Sequence, residues 1–177
     1  MLVVLAIAAA PDPVRAQASA LDPSQRDWKY TDHADVKTGE LYPAVFLMSR
    51  TPIPLSDKSA GVGHGYLGVS NHPKRSFQVT ASWDVPSSKA DLIKCKVARC
   101  QLKIRFGTAA AIPFVAVQSQ EHPSVLTLQD PQTFIAAAER HVGPIEVQFE
   151  TATNGLVAYQ VWTSSPLQVG KLAGRRR

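Results

Sequence analysis

The sequence predicts a mainly β protein: an antiparallel β-sandwich, or a small barrel, of about seven to nine strands with one short helix. Three observations predict it. Thirteen prolines are scattered through 177 residues, and each removes an N–H donor and fixes φ, which interrupts any long helical run. Apolar and polar residues alternate with a period of two in several short stretches, the mark of a half-buried strand. Turn-forming dipeptides such as Thr38-Gly39 and Asn154-Gly155 separate those stretches. The length suits one domain with tails, and 45% hydrophobic residues is enough for a core and too many for a disordered chain.

Residues 1–18 read as a signal peptide. Leu2 to Ala10 form an unbroken apolar run, followed by Pro11, Asp12 and Pro13 and then by Ala16-Gln17-Ala18. Nine apolar residues are too few to cross a bilayer, which takes roughly 20; they fit the apolar centre of an export signal, with small residues preparing cleavage between Ala18 and Ser19. The basic start of such a signal is missing, since only the Met1 amine precedes the run. Residues 19–26 are polar and expected to be flexible, and the domain is expected over 27–163.

Its elements follow in order. Trp28 and Tyr30 share one face of a first strand. Tyr42 to Met48 is an apolar run of strand length. The prolines of Thr51-Pro52-Ile53-Pro54 exclude a central strand, and the Gly- and Ser-rich stretch from Ser56 to Gly65 reads as a surface loop. Tyr66 to Ser70 and Ser76 to Val85 are strands. A hairpin is expected over 92–106, with Ile93 and Cys95 on one arm and Cys100, Leu102, Ile104 and Phe106 alternating on the other. Two arms so arranged place Cys95 and Cys100 opposite each other, within reach of a disulfide. Two cysteines without further paired cysteines or histidines do not complete a zinc site, so the disulfide is the expected use, and it requires an oxidising compartment. Ile112 to Val117 and Val125 to Gln129 are further strands. Asp130 caps the only helix, Pro131 fits its first turn, and Phe134, Ile135 and Ala138 recur at helical spacing towards His141. Ile145, Val147 and Phe149 then alternate up to Asn154-Gly155, expected as a two-residue turn, and Leu156 to Trp162 returns. The aromatics at both ends of the domain suggest that its first and last strands pack together.

Function is less visible. The net charge of +5 is concentrated in residues 164–177, a basic C-terminal tail: Lys171 and Arg175 to Arg177 carry four charges, and without them fifteen basic residues face fourteen acidic ones. A nucleic-acid surface would gather its charge on a folded face, so no nucleic-acid partner is expected. Gly63-His64-Gly65-Tyr66-Leu67-Gly68 spells a dinucleotide fingerprint, but it lacks the strand before and the helix after that would aim a helix N-terminus at phosphate; it reads as a flexible loop. No G-x-S-x-G elbow marks a nucleophile, and no pair of carboxylates stands out for glycoside hydrolysis. No catalytic residue and no cofactor is assigned. Asp35 and the histidines His33, His64 and His72 are the candidates for a metal-binding or hydrolytic site, imidazole and carboxylate being ligands for zinc or copper. Nothing in their spacing brings them together, and His33, His72 and His122 read as solvated.

The order Trp28-x-Tyr30, Asp35, Thr38-Gly39, Cys95-x₄-Cys100-x-Leu102-x-x-Arg105-Phe106 and the hairpin around Asn154-Gly155 resembles small exported proteobacterial proteins of unassigned function. More distantly it resembles the invasion-associated locus B and type VI secretion accessory (VasI-like) proteins. The resemblance spans roughly residues 27–163 and implies a β-sandwich in the periplasm or at the cell surface, with no catalytic residues to carry over. The resulting expectation is a non-enzymatic envelope module, with no transmembrane span in the mature chain. It would contact another envelope protein or a surface component through sheet edges and through the loops 51–65, 86–91 and 164–177. The alternative is a periplasmic metal-binding protein or hydrolase built on the four candidate residues.

Overall fold

Alternating side chains draw most of this chain into strands, because only a pleated backbone sends every second residue to the same side. The computed structural model describes residues 27–35, 38–49, 53–54, 62–74, 76–83, 93–95, 99–151 and 155–173. The strands are β1 (Lys29–Ala34), β2 (Leu41–Met48), β3 (Ile53–Pro54), β4 (Val62–Gly63), β5 (Gly65–His72), β6 (Ser76–Trp83), β7 (Arg99–Phe106), β8 (Ile112–Gln118) and β9 (Val125–Leu128). Helix α1 (Pro131–Ala138) follows, then β10 (Gly143–Thr151), β11 (Gly155–Thr163) and a single turn, α2 (Gly170–Ala173). Nine strands form one antiparallel sheet in the order β1-β2-β5-β6-β9-β8-β7-β10-β11, while β3 and β4 pair only with each other. The sheet does not close into a barrel. It folds over so that β11 meets β2 and β5, and the two halves enclose one core.

Aromatic rings join those halves. Trp83 of β6 meets Phe149 of β10 edge-on at 5.3 Å, and Phe149 meets Tyr159 of β11 at 6.1 Å. The Tyr159 hydroxyl donates to the Tyr66 carbonyl on β5 at 2.7 Å, and its ring lies where a β-carbon on Gly65 would stand. Gly65 was expected in a loop; it opens a strand instead and is buried. A glycine here lets an aromatic ring rest directly on the backbone.

The cysteine region departs from the expected hairpin. Cys95 and Cys100 are bridged, with Cα atoms 4.4 Å apart. But β7 already has antiparallel neighbours on both sides, β8 and β10. The segment before it pairs with β10 as well, through an Ile93–Thr151 bridge and a bond from the Lys94 amide to the Glu150 carbonyl. Both segments are antiparallel to β10 and therefore run in the same direction. The disulfide closes a tight loop between them instead of clamping two arms.

The last hairpin is registered with Thr151 opposite Gly155, which leaves three residues between them in place of a two-residue turn. Gly155 takes the left-handed φ of 64° that such a connection uses at its end. Helix α1 forms as expected, with the Asp130 carboxylate accepting from the Thr133 hydroxyl at 2.6 Å and from the Thr133 amide at 3.1 Å, and these bonds, the hydroxyl's first, lower the pKa of Asp130. The helix packs on β6 and buries Phe134, Ile135 and Ala138.

Residues 164–173 were expected in a basic tail. They form a strap: the Leu167 amide donates to the Ala138 carbonyl at the end of α1, and the final turn α2 packs on β2 and β5. Leu167 and Leu172 enter the core, the Gln168 amide donates to the Tyr30 hydroxyl at 2.8 Å, and Asn71 donates to the Leu172 carbonyl. Lys171 stands over the Tyr30 ring at 5.0 Å. At the start of the strap, Ser165 donates to Asp27 at 2.6 Å. The ends of the domain do meet, then, but through this strap; β1 and β11 are not neighbours in the sheet. Residues 1–26, the loop 86–91 and Arg175 to Arg177 lie outside the described residues.

Candidate functional site

Of the four candidate ligands, the fold joins two. His72 ends β5 and is buried, not solvated. Its Nε2 lies 3.2 Å from the Asp35 carboxylate, and its Nδ1 lies 3.1 Å from the Lys74 amide. The amide can only donate, so Nδ1 accepts and Nε2 carries the proton given to Asp35. The Asp35 carboxylate also accepts from the Thr38 amide at 3.0 Å, and its backbone carbonyl accepts from Gly39. The pair therefore ties the β1–β2 turn to the β5–β6 turn, and both imidazole nitrogens are used in doing so. Tyr42 separates His72 from His33, with ring centroids 4.9 Å and 5.4 Å away. His33 itself is exposed on β1.

His64 is elsewhere. It stands eight residues before His72 along an extended chain, a span of about 26 Å, and its Nδ1 lies 3.1 Å from the Ser49 carbonyl. Among the described residues no group of three or more His, Cys, Asp or Glu side chains is placed to hold a metal ion. The four candidates form a structural tie, a surface imidazole and a distant imidazole. They share no site.

The sheet's edges offer a different kind of site. A strand at an edge presents unpaired N–H and C=O groups, and folded proteins guard such rows with charge, proline, bulges or brevity. β1 is guarded: it is six residues long and carries Lys29, Asp32 and His33, nearly all exposed. β11 is not. Its nine residues, GLVAYQVWT, contain no charged side chain and no proline. It pairs with β10 on one side, and among the described residues no strand pairs with the other.

The inner face of β11 is committed to the core, with Tyr159, Val161 and Thr163 buried. Burial also raises the Tyr159 pKa well above its ordinary value. The outer face presents Leu156, Ala158, Gln160 and Trp162. Leu156 is 68% exposed, the most exposed of the large apolar side chains among the described residues. Beside Leu156 on β10 stands Glu150, and beside Gln160 stands Glu146, in a 2.8 Å ion pair with Arg105 of β7. The β11 site was visible in the sequence as the uncharged arm of the last hairpin, beside an arm that carries Glu146 and Glu150. What the sequence did not show is that this arm ends the sheet.

No protein-family model matches the chain, and no curated protein matches it. Among solved structures, that of invasion associated protein B from Bartonella henselae is similar over 82% of this chain and 89% of that one, at 10% identity and a TM-score of 0.44. A likeness of this strength carries no family, residue or role across.

Proposed function

We propose that this chain is an exported, non-enzymatic binding module of the bacterial envelope, and that it makes its contact by accepting a strand along β11. The observation that carries the reading is the uncharged outer edge of β11 in a sheet whose other edge is guarded. Backbone groups along such an edge give affinity to an added strand, and alternate side chains give it selectivity. Export is supported by the Cys95–Cys100 bridge, since structural disulfides persist outside the reducing cytosol, and by the apolar run at Leu2 to Ala10 with Ala16 and Ala18 after it. Among the described residues no helix is long and apolar enough to cross a membrane.

Site-directed photo-crosslinking in the producing cell tests the contact. A photoreactive side chain at Ala158 of β11 is expected to give a discrete adduct, while the same group at Thr31 of β1 gives none. Equal labelling at both edges, or none at either, overturns the reading. Intact-mass measurement of the exported form, expected to begin at Ser19, tests the address separately.

A further inference from the structure

We infer that the Cys95–Cys100 bond is the catch of a redox-sensitive strand exchange at the end of β10. Two segments claim the same stretch of that strand. The β7–β10 register runs from Phe106 opposite Ile145 to Leu102 opposite Phe149. Carried two residues further, it sets Gln101 opposite Glu150 and Cys100 opposite Thr151. Those places are held by Lys94, whose amide donates to the Glu150 carbonyl at 2.8 Å, and by Ile93, bridged to Thr151. The β10 ladder therefore passes from Lys94 straight to Leu102, and the disulfide lies at that junction.

The claimants are interchangeable. Both run antiparallel to β10, and each turns an enclosed side chain inward at Thr151, Ile93 in one case and Cys100 in the other. At Glu150 each turns a polar, exposed side chain outward, Lys94 or Gln101. Exchange thus keeps every face, which a one-residue slip would not. The backbone of Gln101 is also aimed correctly. Val115, its partner on β8, gives its carbonyl to the Gln129 amide. The Gln101–Val115 pair therefore exchanges no bonds, and the Gln101 amide faces β10.

Arg99, Cys100 and Gln101 are already in place as strand, paired with Val117, Ala116 and Val115. The bond to Cys100 holds Cys95, and with it Ile93 and Lys94, between them and β10. Reduction removes that hold. Cys95 is half-buried and Cys100 enclosed, so a thiolate of a dithiol reductant attacks the Cys95 sulfur, and Cys100 leaves as a thiolate and takes up a proton. The reductant's second thiol then displaces Cys95, which is protonated in turn. Two electrons have passed to the protein, and the reductant ends as its own disulfide. Residues 93–95 then leave, and the end of β10 closes by one strand spacing, about 4.8 Å, onto Gln101 and Cys100. The tip of the β10–β11 hairpin moves with it, since Glu150 and Thr151 face Leu156 and Gly155. The exchange does not depend on β11 being the contact edge.

Amide exchange resolved by NMR on the oxidised and the dithiothreitol-reduced mature chain tests this. Reduction is expected to speed exchange at Lys94 on the order of tenfold or more and to slow it at Gln101. Unchanged rates at both amides overturn the inference, and so does a rise at both, which is local fraying. A cross-linking trap gives a second reading. In protein carrying Cys95→Ser and Thr151→Cys, exchange brings the Cα atoms of Cys100 and position 151 to about 4.5 Å, close enough to bridge. With Ile93 still between them, the two lie about 9–10 Å apart, beyond the reach of a disulfide. A cross-link from Cys100 to position 151 is expected on peptide mapping, and its absence from folded, oxidised protein overturns the exchange.

Discussion

β1 and β11 border the same sheet, yet they are held in it by opposite means. β1 contributes little to the core beyond Tyr30 and is retained by its pairing with β2, by the Gln168 and Lys171 contacts to Tyr30, and by the Asp35–His72 tie beyond its end. Its side chains are free to be charged, and Lys29, Asp32 and His33 make it a poor template for another strand. β11 supplies Tyr159 and Val161 to the interior, so its inward positions are fixed as apolar and only four outward ones remain for a guard. None of the four is charged. Core duty and edge protection compete for the same side chains, and a strand that serves the core while lacking outward charges needs a partner or a cover.

The largest effect that sharpens this contrast is expected at Tyr159. Tyr159→Ala removes a buried ring from between the two halves and is expected to lower unfolding free energy by about 4 kcal/mol. Tyr30→Ala, at a half-buried position of β1, is expected to lower it by about 1–2 kcal/mol. Urea denaturation measures both, and equal losses would break the comparison. Tyr159 also gives a pH signature. Its folded pKa lies above the ordinary value of 10.0 because burial disfavours the phenolate. Its contribution is thus complete below pH 10 and is lost as pH climbs towards the raised folded value, where the unfolded chain ionises first. A melting point that declines above pH 10 is expected, and Tyr159→Phe should remove part of that decline.

Smaller effects follow. Cys95→Ser with Cys100→Ser is expected to cost about 2 kcal/mol, the chain-entropy value for so short a loop. Its hydrogen-exchange consequences should appear at the Lys94 amide and the end of β10, leaving β1 alone. His72→Ala removes one partner of the Asp35 carboxylate and the acceptor of the Lys74 amide and is expected to cost about 1–2 kcal/mol, with exchange rising first at Lys74 and the β1–β2 turn. The smallest effect on stability is expected from Lys29→Val with Asp32→Val, within about 0.5 kcal/mol for exposed positions. That pair strips the guard from β1, and light scattering should then report concentration-dependent association absent from the parent. Unchanged scattering would show that charge is not what protects this edge.

How far these features were legible depends on how local their causes are. β10, β11 and β7 were readable because each alternates on its own, and α1 because Asp130, Pro131 and its apolar spacing lie within one short stretch. The burial of His72 was hidden by its flank of Asn71 and Pro73, since the cause is Asp35, thirty-seven residues away. Gly65 looked like part of a loop because the ring that fixes it, Tyr159, belongs to the last strand. The cysteine pair was read correctly as a bridge and wrongly as a hairpin. Alternation reports which face a residue occupies and is silent on which strand lies alongside. The same silence concealed the edge position of β11, a property of strand order that no local pattern encodes.

The strap carries a consequence for the order in which this molecule can acquire its structure. Leu167 and Leu172 come after every described strand in chain order, and they seal an interior that otherwise begins at Trp28. Tyr30 waits for Gln168, its partner 138 positions later. A nascent chain stopped at Thr163 would have every strand and still leave an open seam along β1, β2 and β5. Closure therefore waits until the strap itself has been made, after every described strand is already available to pair.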